Sequence, residues 1–384
     1  MMGSGDCQAN VQPTIRLAVT GPEGFLAWHT RVAWLARGGS EVIGLGRTEF
    51  GDPAAMDQRL SRADAVIHLA GVNRASDDDA IAKVNPWLAE QLVSGLERIE
   101  RVIPVVYGNS IHSSGDSVFG AAKQRAADIL TGWGLRSGAP VADVVLPNIF
   151  GEHGRPFYNS AVSTFCHQLA RGERPKVQVD REMPLLHAQR AASELLNAAT
   201  SGASGRFSPE GNPLSVTALL DRLIPMSSAY RTGDLPNLSN PFTRDLFNTY
   251  RSFTVPGQWP LFPQVNADIR GDLVEAVRAG GGQTQVFFST TNPGATRGNH
   301  FHLHKVERFL VLRGRAVIRM RRLFTDDIVE FPVSGESPGI VDMPTMWTHS
   351  ITNTGDDQML AAFYADEIFD PSASDTHPLP VLPL

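Results

Sequence analysis

Four side chains near the C-terminus are of the types that bind transition metals. His300 and His302 are one residue apart and would point to the same face of a strand, Glu307 follows after a short bend, and His349 lies in the downstream stretch PTMWTHSITN. Imidazole and carboxylate ligands suit zinc, iron, nickel or manganese, and a site with open positions would be catalytic rather than structural. The spacing therefore predicts a divalent metal site. The alternative is a histidine-rich edge strand without a metal.

A second group of residues, near the N-terminus, is suited to binding a dinucleotide. The apolar run IRLAVT is followed by Gly21, Gly24 and Phe25 and then by a helical pattern. Glycines at such a turn let backbone amides approach a pyrophosphate, and the helix N-terminus favours its negative charge. Arg47 follows the next apolar run, EVIGL, where it suits a 2′-phosphate and favours NADP over NAD. Otherwise Arg47 is a solvated loop residue.

The elements that must position these residues fall into two patterns. Apolar runs at 64–70, 102–107 and 141–146 alternate with helical segments, one of them expected to begin at Asn85, which predicts a doubly wound parallel sheet of the Rossmann type. After residue 264 the short alternating segments with glycine turns are typical of a jelly roll. The chain is therefore predicted to be α/β plus all-β. The predicted parts are a flexible leader (1–13), a dinucleotide-binding domain (14–230), an ordered linker with one helix (231–263) and a C-terminal barrel (264–384).

The bulk composition narrows the class of protein. The chain has 384 residues, enough for two domains, and its net charge of -6 without a basic run argues against nucleic acid as a partner. Cys7 and Cys166 are the only cysteines, which fits a reducing compartment, and the cytoplasm is the expected location. No apolar run is long enough to span a membrane. A small-molecule substrate is the expected partner.

The N-terminal motifs resemble the extended short-chain dehydrogenase/reductase superfamily. The glycine loop Thr20-Gly21-x-x-Gly24-Phe25 and Ser110 match that pattern, and Lys123 matches the lysine of its Tyr-x-x-x-Lys pair. The resemblance implies that Ser110 and Lys123 are catalytic. Phe119 stands where the family has its tyrosine, and a benzene ring cannot donate the proton that a phenol donates. We expect weakened or lost hydride transfer unless His112 or Tyr107 substitutes.

The C-terminal motifs resemble the cupin superfamily over Gly294–Gly314 and again at Pro344, His349 and Asn353, although Met346 replaces a usual glycine. With the first domain, the chain resembles the CapF-type capsule enzymes. That resemblance implies a zinc-bearing cupin that epimerises C3 of a UDP-4-keto-6-deoxy-N-acetylhexosamine and an NADPH-dependent domain that reduces C4, giving a precursor of UDP-N-acetyl-L-fucosamine. It also implies a homodimer. The chain would thus be either an epimerase with a weakened or lost reductase or a fully bifunctional enzyme. A third possibility is that the first domain is a non-reducing scaffold and that the cupin serves a specialised-metabolite pathway.

The resemblance also assigns residues around each predicted ligand. The residues assigned to NADP(H) are Gly21, Gly24, Phe25, Arg47, Leu69, Ala70 and Lys123. The residues assigned to the UDP-sugar are Asn73, Arg74, Asn148, Arg155, Asn159 and His167. Arg155 and Asn159 lie where extended reductases hold a diphosphate or uracil.

Epimerisation next to a ketone needs proton transfer at the barrel site. A base on one face and an acid on the other invert a centre whose enolate is stabilised. The candidates flank the ligand strands and are Lys305 and Tyr364, with His304 and Asp366 as further possibilities. Arg297 and Arg319 would either hold phosphate or form salt bridges at the rim.

Overall fold

A computed structural model describes residues 15–73, 78–269 and 271–382 of the chain. The chain divides into two compact units. The first runs to Pro147 and includes Arg190–Pro209, and the second comprises Asn148–Gln189 and Glu210 onwards. In those described stretches no helix is both long and apolar enough to cross a membrane.

Strands and helices alternate through the first part of the chain. In order these are β1 (Leu17–Thr20), α1 (Phe25–Ala36), β2 (Ile43–Leu45), α2 (Arg47–Gly51), α3 (Pro53–Leu60), β3 (Ala65–His68), α4 (Asp78–Arg98), β4 (Val105–Ser110), a 3₁₀ helix (Ile111–Ser114), α5 (Val118–Ser137), β5 (Val141–Leu146), β6 (Asn148–Phe150), α6 (Ala161–Ala170), β7 (Glu182–His187), α7 (Ala188–Ser201) and β8 (Gly205–Phe207).

The sheet of the first unit has six parallel strands in the order β2-β1-β3-β4-β5-β8. The strands β1 to β5 are short and mostly buried, as is typical of a parallel sheet covered by helices on both faces, whereas the edge strand β8 is exposed. Leu92, Tyr107, Leu130 and Trp133 are among the buried side chains that join α4 and α5 to the strands. The carboxyl ends of β1, β3 and β4 carry the predicted cofactor and catalytic residues.

The prediction that a helix begins at Asn85 was wrong, because α4 begins at Asp78. An asparagine before a proline resembles a helix start, yet Pro86 lies inside this helix. The Asn85 side chain is used elsewhere: its Oδ1 accepts from the N–H of Val72 at 2.8 Å and its Nδ2 donates to the Val72 carbonyl at 2.9 Å. It therefore fixes the loop after β3.

The rest of the chain is mostly β structure. It contains β9 (Asn212–Ser215), α8 (Val216–Arg231), α9 (Pro241–Arg251), β10 (Val265–Asp268), β11 (Gly271–Val274), β12 (Gln285–Thr291), β13 (Thr296–Phe301), β14 (Glu307–Arg313), β15 (Arg315–Arg322), β16 (Ile328–Ser334), β17 (Ile340–Met343), β18 (Trp347–Asn353), β19 (Met359–Ala365) and β20 (His377–Pro378).

Two antiparallel sheets form the barrel of the second unit. Their strand orders are β12-β19-β14-β17 and β16-β15-β18-β13-β20. The inner faces share apolar side chains such as Phe309, Ile318, Ile351 and Phe363. The doubly wound sheet and this jelly roll confirm the predicted fold class.

Helices and a small sheet complete the second unit. The small sheet has the order β6-β7-β9, and α6, α8 and α9 contribute to the same apolar core as the barrel. Phe242, Phe247, Tyr250 and Trp259 are buried in that core. Segment 231–263, which was predicted to be an ordered linker, therefore packs into the core of the second unit through α9 and through the residues that flank α9 in sequence. The predicted domain boundaries themselves stay a prediction.

Candidate functional site

The four predicted metal ligands converge in the barrel. His300 is on β13, His302 directly follows it, Glu307 opens β14, and His349 is on β18. One ligand atom from each lies within 4.8 Å of all the others. Glu307 Oε2 is 3.0 Å from Nε2 of His302, 3.5 Å from Nε2 of His349 and 4.0 Å from Nε2 of His300. The cluster has the composition and size of a divalent metal site.

Hydrogen bonds fix the tautomers of two of these histidines. Nδ1 of His302 bonds to the carbonyl oxygen of Asp375, and Nδ1 of His349 lies 3.2 Å from the carbonyl oxygen of Trp347. A carbonyl oxygen can only accept, so each Nδ1 carries the proton and each Nε2 presents a lone pair. Within the described part of the chain, neither Nε2 makes a hydrogen bond. Such lone pairs facing a carboxylate oxygen fit a cation held between them.

Burial sets the charge state of the cluster. Burial lowers the pKa of His349 to about 4, so this imidazole is neutral at pH 7. Burial raises the pKa of Glu307, whereas a positive charge on His302 and N–H donation from the imidazoles when they are protonated hold that pKa well below its ordinary value. A neutral imidazole and an ionised carboxylate are the forms that bind metal.

An irregularity in β13 places His300. The register between β13 and β18 shifts between Gly298 and His300, so that His300 pairs with His349. Gly298 has φ +96°, and a Cβ there would lie 2.8 Å from the carbonyl oxygen of His349. Only glycine accepts both conditions without strain. The bulge therefore turns the strand so that three imidazoles meet.

Met346 occupies the position where the cupin pattern has a glycine. It has φ +61°, the left-handed conformation that explains the usual glycine. Its N–H donates to the His302 carbonyl at 2.7 Å, and its sulfur accepts from Gln189 Nε2 at 3.1 Å. The side chain is fully buried, so packing offsets the backbone strain.

The predicted proton-transfer residues have different surroundings. Lys305 is buried with its Nζ 3.1 Å from Glu307 Oε1 and donating to Thr376 Oγ1 at 3.2 Å. Tyr364 pairs with Arg308 across β14 and β19, whereas Glu307 pairs with Ala365. Because neighbouring strand residues point to opposite faces, Tyr364 and Glu307 lie on opposite faces of the sheet.

Other charged residues near the barrel site make local bonds. His304 lies 3.5 Å from Glu367 Oε2, and Asp366 Oδ1 accepts from the Val306 N–H at 2.8 Å. Arg319 forms an ion pair with Glu330 at 2.5 Å. Arg297 bonds to the side chain of Thr291 and the carbonyl of Thr290, at 3.1 and 2.9 Å. The bond of Arg319 is a salt bridge of the expected kind, whereas the bonds of Arg297 are to neutral groups.

The dinucleotide loop has the expected backbone. Gly21 has φ +62°, and a Cβ there would lie 3.1 Å from the Cα of Ala70, so the loop and the end of β3 are in close contact. Gly24 precedes α1, which begins at Phe25, and Arg47 is an exposed residue at the start of α2. The first turn of α1 thus brings N–H groups that have no partner within the helix to the carboxyl end of β1.

Sequence reasoning missed the role of Thr20. Its hydroxyl accepts from the N–H groups of Leu69 and Ala70, at 2.9 and 2.8 Å, and lies 2.9 Å from Nδ1 of His68. It therefore ties the glycine loop to the residues after β3. A hydroxyl at the end of a buried strand was the available signal.

Lys123 and Ser110 lie close to the end of β4. Lys123 is buried on α5, its Nζ donates to the Gly108 carbonyl at 2.7 Å, and it lies 4.2 Å from the centre of the Tyr107 ring. Burial lowers the pKa of Lys123 to about 7. The Ser110 hydroxyl accepts from the His112 N–H at 3.2 Å.

No phenol takes the place of Phe119 in the described part of this site. Phe119 lies half-buried one helical turn before Lys123. Tyr107 is 1% exposed, and its hydroxyl donates to the Lys123 carbonyl at 3.4 Å, so it faces α5. His112 is exposed on the 3₁₀ helix.

The predicted sugar-nucleotide residues are distributed over both units. Asn148 opens β6, Arg155 lies 5.0 Å from the Tyr158 ring, Asn159 is exposed, and His167 is half-buried on α6. These residues belong to the second unit. Asn73 belongs to the first unit. Arg74 lies outside the described residues.

Comparison with known proteins places the chain in a family. The family described as "Polysaccharide biosynthesis C-terminal domain" matches residues 266–377. A Pseudomonas aeruginosa protein named UDP-2-acetamido-2,6-beta-L-arabino-hexul-4-ose reductase is 32% identical over 370 residues, which are 94% of this chain and 98% of that protein. The crystal structure of capsular polysaccharide assembling protein CapF from Staphylococcus aureus has a TM-score of 0.62 and 29% identity, covering 96% of this chain and 100% of the other. The chain belongs to the CapF family.

One further relative matches a shorter stretch. A Haloferax volcanii protein named probable low-salt glycan biosynthesis epimerase is 27% identical over 132 residues, which are 30% of this chain and 82% of that protein. The CapF family is one of UDP-sugar epimerases and reductases, so this chain is an enzyme of that group. Its His300, His302, Glu307 and His349 cluster fits a metal site.

Proposed function

We propose that this CapF-family enzyme epimerises C3 of a UDP-4-keto-6-deoxyhexosamine in its barrel and reduces C4 weakly or not at all. The observation that carries the proposal is the cluster of His302, His349 and Glu307, whose lone pairs converge without a hydrogen bond between the imidazoles and the carboxylate among the described residues. The donor set of three nitrogens and one oxygen suits zinc as well as iron, nickel or manganese, and we propose zinc on the basis of the resemblance to the CapF-type enzymes.

Proton transfer at C3 is the chemistry that this site must perform. The hydrogen on C3 is next to the C4 carbonyl, so it leaves as a proton when the enolate oxygen is stabilised. A bound divalent cation supplies Lewis-acid stabilisation of such an oxyanion. We assign Lys305 to proton transfer, because its ammonium is buried against the Oε1 side of Glu307. Tyr364 is a weaker candidate for proton transfer, because it lies on the face of the sheet opposite to Glu307. Deuterium exchange at the wild-type rate in a Tyr364→Phe variant would exclude it.

Isotope exchange tests the epimerase. Metal-loaded enzyme in deuterated buffer should place deuterium at C3 of a UDP-4-keto-6-deoxy-N-acetylhexosamine, and chelator-treated enzyme should not. Absence of exchange in the loaded enzyme would reject the proposal. Exchange that survives complete metal removal would retain the epimerase and reject the role of the metal.

The first unit is proposed to bind NADP(H) through the glycine loop, Leu69, Ala70 and Arg47. The exposed guanidinium of Arg47 at the start of α2 supports a 2′-phosphate over a 2′-hydroxyl. Titration with NADPH and NADH measures that preference. Equal affinities for NADPH and NADH would indicate that Arg47 is a solvated residue that does not contact the 2′-phosphate.

The reductase proposal depends on Phe119. Ser110 and Lys123 are in place at the end of β4 and on α5, but the proton donor of the family's Tyr-x-x-x-Lys pair is a phenyl ring. We infer that hydride transfer is lower than in a tyrosine enzyme by about two to four orders of magnitude. The alternative, a fully bifunctional epimerase and reductase, is favoured by the name of the Pseudomonas relative, a reductase. NADPH oxidation with the 4-keto sugar at an ordinary enzymatic rate would establish that alternative.

We propose that Asn148, Arg155, Asn159 and His167 of the second unit contact the UDP-sugar. Arg155 and Asn159 are exposed polar side chains near the start of α6 and are free to approach a diphosphate. Arg155→Ala should weaken UDP binding, measured by calorimetry. Unchanged affinity would exclude this residue. The third alternative, a non-reducing scaffold of a specialised-metabolite pathway, predicts that the protein does not bind NADP(H).

We further propose a homodimer in the cytoplasm. Val286, Phe287 and Phe288 are exposed on β12, the edge strand of its sheet, and such an apolar edge favours pairing with a second copy. The presence of two cysteines in 384 residues supports a reducing compartment. Light scattering should give a dimer mass, and Phe288→Glu should lower it. A monomeric wild-type protein would contradict the proposal, as would recovery of the protein from outside the cytoplasm.

A further inference from the structure

One C-terminal residue, Asp375, bonds to the whole loop between two predicted metal ligands. It lies in the segment after β19 and is 5% exposed. Its carboxylate accepts from the N–H groups of Leu303, His304 and Lys305 at distances between 2.8 and 3.1 Å. Its carbonyl oxygen accepts from Nδ1 of His302. A single residue thus satisfies donors of four consecutive positions.

Neighbouring residues strengthen the same attachment. Thr376 accepts from Lys305 Nζ at 3.2 Å, and His377 lies 3.1 Å from Asp375 Oδ1. The short strand β20 pairs with β13 at His300 and Phe301. The C-terminal segment therefore contacts the ligand strand, the ligand loop and the lysine beside Glu307.

We propose that Asp375 is a positioning residue that holds His302 and Lys305 in the geometry required by the metal site. This inference rests on the metal site of the proposed function. The carbonyl oxygen fixes the tautomer and the ring plane of His302, and the carboxylate keeps loop 303–305 closed so that Lys305 stays beside Glu307. Partners of this kind orient the ligand side chains, and their removal weakens metal binding.

Two substitutions and a matched control separate positioning from general stability. Asp375→Ala removes the carboxylate, and Asp375→Asn keeps one oxygen acceptor. The control is Asp370→Ala, because Asp370 is an exposed aspartate of the same segment that accepts from Ser372 in its own turn. Affinity for zinc is measured by chelator competition, and the visible spectrum of cobalt-loaded protein reports the ligand geometry.

Asp375→Ala should weaken zinc affinity by about tenfold to a hundredfold and should change the cobalt spectrum at saturating metal. Asp375→Asn should give a smaller change in both, and Asp370→Ala should match wild type. This graded pattern supports positioning, because a loss of stability alone lowers Tm without altering the spectrum of the bound cobalt.

Several outcomes would overturn the inference. Wild-type affinity and spectrum in Asp375→Ala would do so, whether or not Tm falls. Failure of both Asp375 variants to fold would show that the segment stabilises the barrel as a whole, and equal effects of Asp370→Ala would remove the specificity. If wild-type protein binds no metal, the proposed function fails and this inference with it, whereas normal wild-type binding with an unaffected Asp375→Ala rejects the inference alone.

Discussion

The two buried polar clusters of this enzyme differ in how their hydrogen-bonding groups are paired. Around Lys123, the ammonium donates to Gly108 and the Tyr107 hydroxyl donates to the backbone of α5. In the barrel, Nε2 of His302 and of His349 face Glu307 without a hydrogen bond in the described chain. In the first cluster Phe119 lies one helical turn before the lysine, where the resemblance leads us to expect a tyrosine, whereas in the second the lone pairs of two imidazoles face the same carboxylate oxygen.

Removal of a metal ligand should have the largest effect. Replacing His302 with alanine, or Glu307 with glutamine, should remove the metal and reduce C3 deuterium exchange to the level of chelator-treated enzyme. NADPH binding by the first unit should be unchanged, which is the control for folding. Elemental analysis and NMR of the sugar give both readouts. Deuterium exchange at the wild-type rate by a metal-free variant would show that the barrel cluster does not act through a metal.

Replacing Lys305 should have the next largest effect. Lys305→Met keeps the length of the side chain and removes the proton, so exchange should fall by about two to four orders of magnitude while zinc content is retained. The matched control is Lys176→Met, since Lys176 is exposed. A Lys305→Met enzyme that exchanges at the wild-type rate would exclude this lysine from proton transfer. Loss of zinc in the variant would show that Lys305 acts by stabilising Glu307.

Restoring the phenol tests the other side of the comparison. Phe119→Tyr should raise NADPH oxidation with the 4-keto sugar by about tenfold or more, because a general acid returns beside Lys123. Phe119→Leu, which offers no donor, should leave the rate unchanged. Rates are followed at 340 nm with the barrel activity as the control. If Phe119→Tyr does not raise the rate of NADPH oxidation, the absence of a phenol at position 119 is not sufficient to explain a weak reductase.

The sequence predicted the residue types of both sites but not all of their geometry. Strand alternation and cupin spacing identified His300 and His302, because the side chain period of a strand is local. The bulge at Gly298, which changes the β13 register, was not foreseen, since a glycine within a strand has several structural meanings. At Met346, in contrast, the sequence showed the departure from the cupin pattern, and the structure explains it. The positive φ of this residue is the conformation for which the pattern has a glycine.

Contacts between distant segments were the main omission. Asp375 lies about seventy positions after the loop that it holds, in a stretch without periodicity, so nothing local indicated its partner. The helix at 243–251 was predicted and is observed as Pro241–Arg251. The burial of this helix was not predicted. The helical spacing of Phe242, Leu246 and Tyr250, which are buried, is the pattern that would have indicated an apolar face.

Burial of Lys123 should also make the stability of the folded enzyme depend on pH. Burial lowers its pKa from 10.5 to about 7, so between these values the unfolded chain holds a proton that the folded chain lacks. Stability contributed by this site should therefore rise with pH through that window and level off above it. The difference in unfolding free energy between wild type and Lys123→Met, followed by urea denaturation from pH 6 to 10 without cofactor, should move in favour of wild type. A flat difference for Lys123→Met would mean that this lysine remains protonated in the folded enzyme, so that the two clusters would differ less in charge than their contacts indicate.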